Sequence, residues 1–221
     1  MDQRSGGRCP RDVRRDVTKV LVLGANGQLA RKTIPFLLKI ADIALTLYLR
    51  RAQRLRNPDP DRVAIVEGDV LNSKTLRTAM QRQDVVYANL AGDMTDHARA
   101  IIDAIHAAGV KRLIFISSMG IYGEVPGERY RSVLDPYRDS AALVETSDLD
   151  YTILRPGWFT HDDAVDYQIT QKGEAFKGHS APIASRTSST RRSMYDRRRP
   201  DRYRSAPGFS DRCGCSPGSP R

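Results

Sequence analysis

The stretch Val20-Leu21-Val22-Leu23-Gly24-Ala25-Asn26-Gly27-Gln28-Leu29-Ala30 runs an apolar strand straight into two closely spaced glycines and then into a helix-forming sequence. A junction of this kind can hold a phosphate. Gly24 lets the chain turn sharply out of a buried parallel strand. Gly27, without a Cβ, lets backbone N–H groups approach a pyrophosphate at the positive end of the helix dipole, and Ala30 is small enough for the helix to pack on the strand. The spacing is G-x-x-G-x-x-A rather than G-x-G-x-x-G, and a glycine turn with no ligand has the same form, so the flanking pattern has to decide.

Working outward, the residues after this junction alternate between strand and helix patterns. Strands are predicted over 17–23, 44–49, 62–66, 84–88, 112–116 and 151–154, and helices over 27–40, 73–82, 95–108 and 139–146. In the third helix Ala98, Ile101, Ile102, Ile105 and Ala108 share a face and Gly109 stops it. Pro35 is expected to bend or shorten the first helix. Strands that are apolar throughout, separated by amphipathic helices, imply an α/β fold with a doubly wound parallel sheet.

Composition divides the chain into three parts. Its 221 residues suffice for one sizeable α/β core, and no apolar run reaches the roughly 20 residues of a membrane span, so a soluble protein is expected. The net charge of +10 would ordinarily point to nucleic acid or a membrane surface, but residues 180–221 carry +7 of it and residues 1–16 carry +2. The tail holds ten Arg, nine Ser and five Pro with no Lys or Glu, too little apolar surface to offset its ordering entropy. Both ends are expected to be disordered around a domain over 17–179. A nucleic-acid arm is disfavoured, because the tail lacks the spaced aromatics of a stacking platform. Cys9, Cys213 and Cys215 all lie in the ends, Cys213-Gly-Cys215 is C-x-C with no second ligand pair, and no metal site is expected. A reducing, cytoplasmic location fits this cysteine usage, and the amino terminus lacks the apolar region of a secretory signal.

Five stretches carry a family resemblance: the opening junction, Glu67-Gly68-Asp69-Val70-Leu71, Asp84-Val85-Val86-Tyr87-Ala88-Asn89-Leu90-Ala91-Gly92, the run from Arg112 through Ser117-Ser118 to Tyr122-Gly123, and Asp150-Tyr151-Thr152-Ile153-Leu154-Arg155-Pro156-Gly157. In this order they resemble the atypical short-chain dehydrogenase/reductases with an NmrA-like, NAD(P)H-binding Rossmann domain. The resemblance implies that Gly24, Asn26, Gly27, Gln28 and Leu29 line the pyrophosphate, that Asp69 with Val70 sits against the adenine, and that Ala91 and Gly92 flank the cofactor. Asp69 can equally be a turn residue after Gly68. Ser118 falls where reductases of the wider superfamily keep a catalytic serine, and Ser117-Ser118 can equally be a polar strand end.

Arg50 and Arg51 close the second strand, where an NAD-preferring protein would place an acidic residue on the ribose 2′-hydroxyl. An arginine there pairs with a 2′-phosphate through its fork, which favours NADP over NAD. The alternative is a solvated basic face, since Arg54 and Arg56 follow.

The reductase pattern is broken in one respect. Hydride-transferring members pair a Tyr with a Lys four residues later, the Lys lowering the phenol's pKa. Here Tyr122, Tyr130 and Tyr137 are followed at that distance by Pro126, Leu134 and Ala141, and the spacing back from Arg155 puts the family's Lys at Tyr137. Tyr122 and Tyr137 remain candidates, beside Ser118, for polarising a small carbonyl or quinone substrate. The alternative function is a non-catalytic NAD(P)H-sensing regulator. His97 and His106 do not share a helix face, and His161-Asp162-Asp163 opens a polar loop, so no triad or metal role is expected of them. Family members continue beyond the segment resembling Phe176-Lys177-Gly178 with another helix and a strand region; a reading-frame shift near His179 is expected to account for the Arg/Ser/Pro sequence found instead.

Overall fold

A computed structural model describes residues 17–157 together with 169–170, 172 and 174–175. The expectations for 1–16, for His161-Asp162-Asp163 and for the tail over 180–221 lie outside the described residues.

Six strands form one parallel sheet in the order β3-β2-β1-β4-β5-β6. They are β1 (Thr18–Leu23), β2 (Ile43–Leu49), β3 (Val63–Glu67), β4 (Val85–Ala88), β5 (Arg112–Ile116) and β6 (Asp150–Leu154). Four α-helices connect them: α1 (Gln28–Leu37), α2 (Ser73–Met80), α3 (Met94–Ala108) and α4 (Asp135–Glu145). Because successive strand residues face opposite sides, β1 feeds two cores at once. Leu21 and Leu23 pack in a cluster with Leu76, Met80, Ile101, Ile105 and Val144 from α2, α3 and α4. Val20 and Val22 pack in the other, with Ala30, Ile34 and Leu37 from α1. Helices thus cover both faces, as the strands' continuous apolar character requires.

The element ends differ from the sequence reading where local chemistry intervenes. The first helix stops at Leu37 rather than residue 40: Pro35 lies in its last turn, and Leu38 closes it by donating to the Ile34 carbonyl at 3.1 Å. The helix runs through Pro35 and ends two residues beyond it. The second ends at Met80 rather than residue 82, because Gln81 already turns to ψ 132° and Arg82 follows in a left-handed φ of 62°. The fourth begins at Asp135 rather than residue 139; Pro136 in its first turn has no N–H to leave unpaired there. Two short 3₁₀ turns, Ala52–Arg54 and Ser132–Leu134, escaped the periodicity argument, being shorter than any repeat it can detect. Gly109 does end α3, in the left-handed conformation with φ 73°.

The strand order reverses between β1 and β4, the outward steps running to β2 and β3 on one side and to β5 and β6 on the other. Ligands of open α/β sheets bind outside the carboxyl ends of the strands at such a reversal. The β1–α1 junction, Asn89 and the β4–α3 turn all converge there.

Candidate functional site

The glycine loop is held rigid from two sides. Gly24 and Ala25 both donate their N–H groups to the Tyr48 carbonyl at the end of β2, at 3.0 and 3.3 Å, and Gly27 donates back to Gly24 at 2.9 Å. On the β4 side, Asn89 donates its N–H to the Leu23 carbonyl at 3.1 Å. A Cβ on Gly24 would collide with the Asn89 carbonyl oxygen, and one on Gly27 would lie 2.5 Å from the Asn89 amide nitrogen. Gly24, facing a backbone carbonyl, admits no side chain, and at Gly27 the Asn89 side chain would have to give way. Gly27 is also the N-cap of α1, so the N–H groups of Gln28 and Leu29 open the helix with no carbonyl of their own turn to meet. Gln28 is exposed and Leu29 half-buried, while Asn26 stands between the glycines and accepts from Arg31. No acidic residue occupies the first turn of α1. A close-packed glycine cradle under a helix opening free of negative charge fits the pyrophosphate of a dinucleotide.

The candidate adenine end is built around Tyr48. This tyrosine is fully buried, and its hydroxyl donates to the Asp69 carbonyl at 2.9 Å and lies 3.0 Å from the Thr75 hydroxyl. Burial pushes its phenol above the usual value, with Asp69 adding to the rise and Thr75 opposing it. A Cβ on Gly68 would meet that hydroxyl at 2.2 Å, so the glycine is fixed by Tyr48 and not by turn geometry alone. The Asp69 carboxylate accepts from the Leu71 N–H at 3.0 Å, which is the turn role, and stays exposed at the edge of the site. Val70 beside it is buried in the core.

Arg50 and Arg51 are exposed at the end of β2. The nearest carboxylate in the chain's register there, Glu67 opposite Leu49, is occupied by the Ala52 N–H at 2.7 Å. Ala91 and Gly92 follow β4, exposed, with Gly92 at φ 97°.

The three candidate catalytic residues do not form one cluster of free groups. Ser118 is half-buried and its hydroxyl makes a local contact to the Met119 carbonyl at 3.3 Å. Tyr137 packs against the core beneath α4, and its carbonyl accepts from the Ser117 and Ser140 hydroxyls at 3.2 and 3.0 Å. The Tyr122 phenol donates to Glu145, whose other oxygen meets Lys172. Burial first and the Glu145 carboxylate second push the Tyr122 phenol well above its usual value. Lys172 also stands over the Tyr122 ring, 5.4 Å from its centroid, and the phenol is raised nonetheless.

Sequence reasoning missed what organises this end. Glu124, almost fully buried, accepts from Gly120 N–H at 3.0 Å, Tyr122 N–H at 2.9 Å and the Arg155 guanidinium at 2.8 Å. Arg155 also lies over the Tyr122 ring, 5.1 Å from its centroid, and reaches Thr170. One carboxylate thus fixes the loop that carries Ser118 and Tyr122. No periodic or motif signal marks Glu124; Asn89 stood inside a quoted motif but without a role. Of the histidines, His106 pairs with Asp148 at 2.7 Å on the surface. Among the described residues no group of three His, Cys, Asp or Glu is placed to hold a metal ion, and no helix is long and apolar enough to cross a membrane.

A family model described as NAD(P)H-binding matches residues 24–187. A Rossmann-fold NAD(P)-binding family protein from Shigella flexneri is 43% identical, with a TM-score of 0.65, over 76% of this chain and 81% of its own. A short-chain dehydrogenase/reductase from Veillonella parvula, solved in complex with NADP, is 28% identical, with a TM-score of 0.67, over 76% of this chain and 82% of its own. Among curated proteins, the uncharacterized sugar epimerase YhfK of Bacillus subtilis is 24% identical over 63% of this chain and 71% of its own length.

Proposed function

The chain belongs to the NAD(P)H-binding family of atypical short-chain dehydrogenase/reductases, and from that premise we propose that it is an NADP(H)-dependent oxidoreductase acting on a small carbonyl or quinone. The observation that carries the reading is the glycine cradle packed on Asn89 at the strand-order reversal, with exposed Arg50 and Arg51 closing the neighbouring strand. A guanidinium at that place matches a 2′-phosphate, where a carboxylate would select the 2′-hydroxyl of NAD. The NADP complex of the Veillonella relative supports the same choice.

In this reading the cofactor supplies or takes the hydride. Asn26, Gln28 and Leu29 line its pyrophosphate, Asp69 and Val70 its adenine, and Ala91 and Gly92 its flank. Ser118 donates a hydrogen bond to the substrate oxygen, and Glu124 keeps the Ser118–Tyr122 loop in place to do so.

A second reading is favoured by one observation. The Tyr122 phenol is committed to Glu145 and no Lys stands four residues after it, so a ready proton donor is missing. A regulator that binds NAD(P)H without turning it over needs none. Calorimetric titration of the chain with NADPH and NADH, followed by NADPH oxidation against carbonyl and quinone panels, separates the two. Tight binding with turnover supports the oxidoreductase, binding without turnover supports the regulator, and no binding refutes both.

A further inference from the structure

Arg31 closes the first turn of α1, where the helix dipole is already positive and a cation is electrostatically misplaced. Lys32 follows it, and no acidic residue in that turn compensates. The Arg31 guanidinium nevertheless leans toward the glycine loop. Its Nε and Nη2 both donate to one oxygen, Asn26 Oδ1, at 3.1 and 2.6 Å. A neutral amide oxygen is a poor match for that fork, which suits two oxygens of an anion. Asn26 stands between Gly24 and Gly27, which pack closely against Asn89, so its backbone has little room to move. The arginine comes to the loop.

We infer that Arg31 is a counter-ion for the pyrophosphate of the bound dinucleotide, parked on Asn26 in the free chain and transferred to the phosphate oxygens on binding. This rests on the dinucleotide-binding reading above and adds a residue outside the glycine motif. It also divides the work among the arginines. Arg50 and Arg51 meet the part that distinguishes NADPH from NADH, whereas Arg31 meets the part the two share. The exchange keeps a donor that is already charged and gives it the two oxygens of an anion in place of one neutral acceptor, so ion pairing and a bidentate fit are added to the hydrogen bond.

The test is calorimetric titration of the full chain and its variants with NADPH and with NADH. Arg31→Gln is expected to weaken both by the same factor, about tenfold or more. Arg31→Lys, which keeps the charge but loses the fork, is expected to fall between. Lys32→Gln, which removes the same charge one residue away, is expected to leave both affinities unchanged. Since Arg31 is exposed and its charge opposes the helix dipole, the melting temperature of the ligand-free Gln variant is expected not to fall below that of the parent. An Arg31→Gln variant that binds like the parent overturns the inference and leaves the dinucleotide reading intact. So does a loss confined to NADPH, which would move Arg31 to the 2′-phosphate, or an equal loss in Lys32→Gln, which would reduce it to general charge. A parent chain that binds neither dinucleotide overturns the inference and the functional reading together.

Discussion

Gly24 and Asn89 meet so closely that a methyl group on Gly24 would lie 2.1 Å from the Asn89 carbonyl oxygen. Gly24 also sits at φ +70°, where an L side chain is strained. Gly24→Ala is therefore expected to cost at least the strain of about 1–3 kcal/mol and to abolish dinucleotide binding, since the loop must move off Asn89. Thermal melting and NADPH titration of the variant check both halves. A stable variant that still binds would show that the cradle is softer than its packing implies.

Arg50→Glu reverses the charge where the 2′-phosphate is expected. NADPH affinity should fall by at least about tenfold while NADH affinity changes far less, because the ribose 2′-hydroxyl can still bond to the new carboxylate. Equal effects on the two cofactors would refute the 2′-phosphate role.

Tyr48→Phe removes one hydroxyl shared between Asp69 and Thr75. The loss is expected to be about 1–2 kcal/mol, read as a lowered melting temperature with the far-ultraviolet spectrum unchanged.

Tyr122 and Tyr87 both hold their protons more tightly in the folded chain, Tyr87 being raised by burial to about 12. An unfolded tyrosine loses its proton near pH ~10, so from there upward the unfolded state ionises while the folded one does not. Their contribution is fully present below that pH and is lost as pH rises above it. Chemical denaturation across alkaline pH is expected to show this fall. In Glu145→Gln the carboxylate that helps raise Tyr122 is gone, so part of the tyrosinate absorbance is expected to appear at lower pH than in the parent.

Glu124→Ala leaves the Arg155 guanidinium, whose side chain is only 17% exposed, without its carboxylate, and frees the Gly120 and Tyr122 N–H groups. Removing one partner of a buried pair is expected to destabilise by about 3–5 kcal/mol. If turnover of any carbonyl is found, it should fall with this change even where the protein remains folded and binds NADPH.

The sheet was legible because the central strands are apolar along most of their length and each helix shows one apolar stripe. Those patterns arise from burial on both faces, and they survive any detail of packing. Helix ends were less legible, since Gln81 stops one helix through a single backbone angle and Pro136 opens another, which leave no repeat. At the site, the glycines could be read because a missing Cβ is itself a letter in the sequence. What presses on them could not. Asn89 is 65 residues from Gly24, and Tyr48 lies 20 before Gly68, so their contacts exist only once strands are paired. Glu124 was invisible for a related reason: its partners are backbone N–H groups and an arginine 31 residues away. Tyr122 was a reasonable candidate by position, and its burial and its bond to Glu145, neither of them written in the local sequence, hold its proton back.

The sheet grows outward from β1 and β4, with β2 and β3 on one flank and β5 and β6 on the other. The glycine loop belongs to the first flank, and the residue that locks it, Asn89, ends the first strand of the second. Neither half can make the cradle alone. During synthesis β1, β2 and β3 can emerge and pair before β4 exists, and the loop gains its shape only when β4 docks against β1 and closes the seam. Dinucleotide binding would then report that β4 has docked against β1.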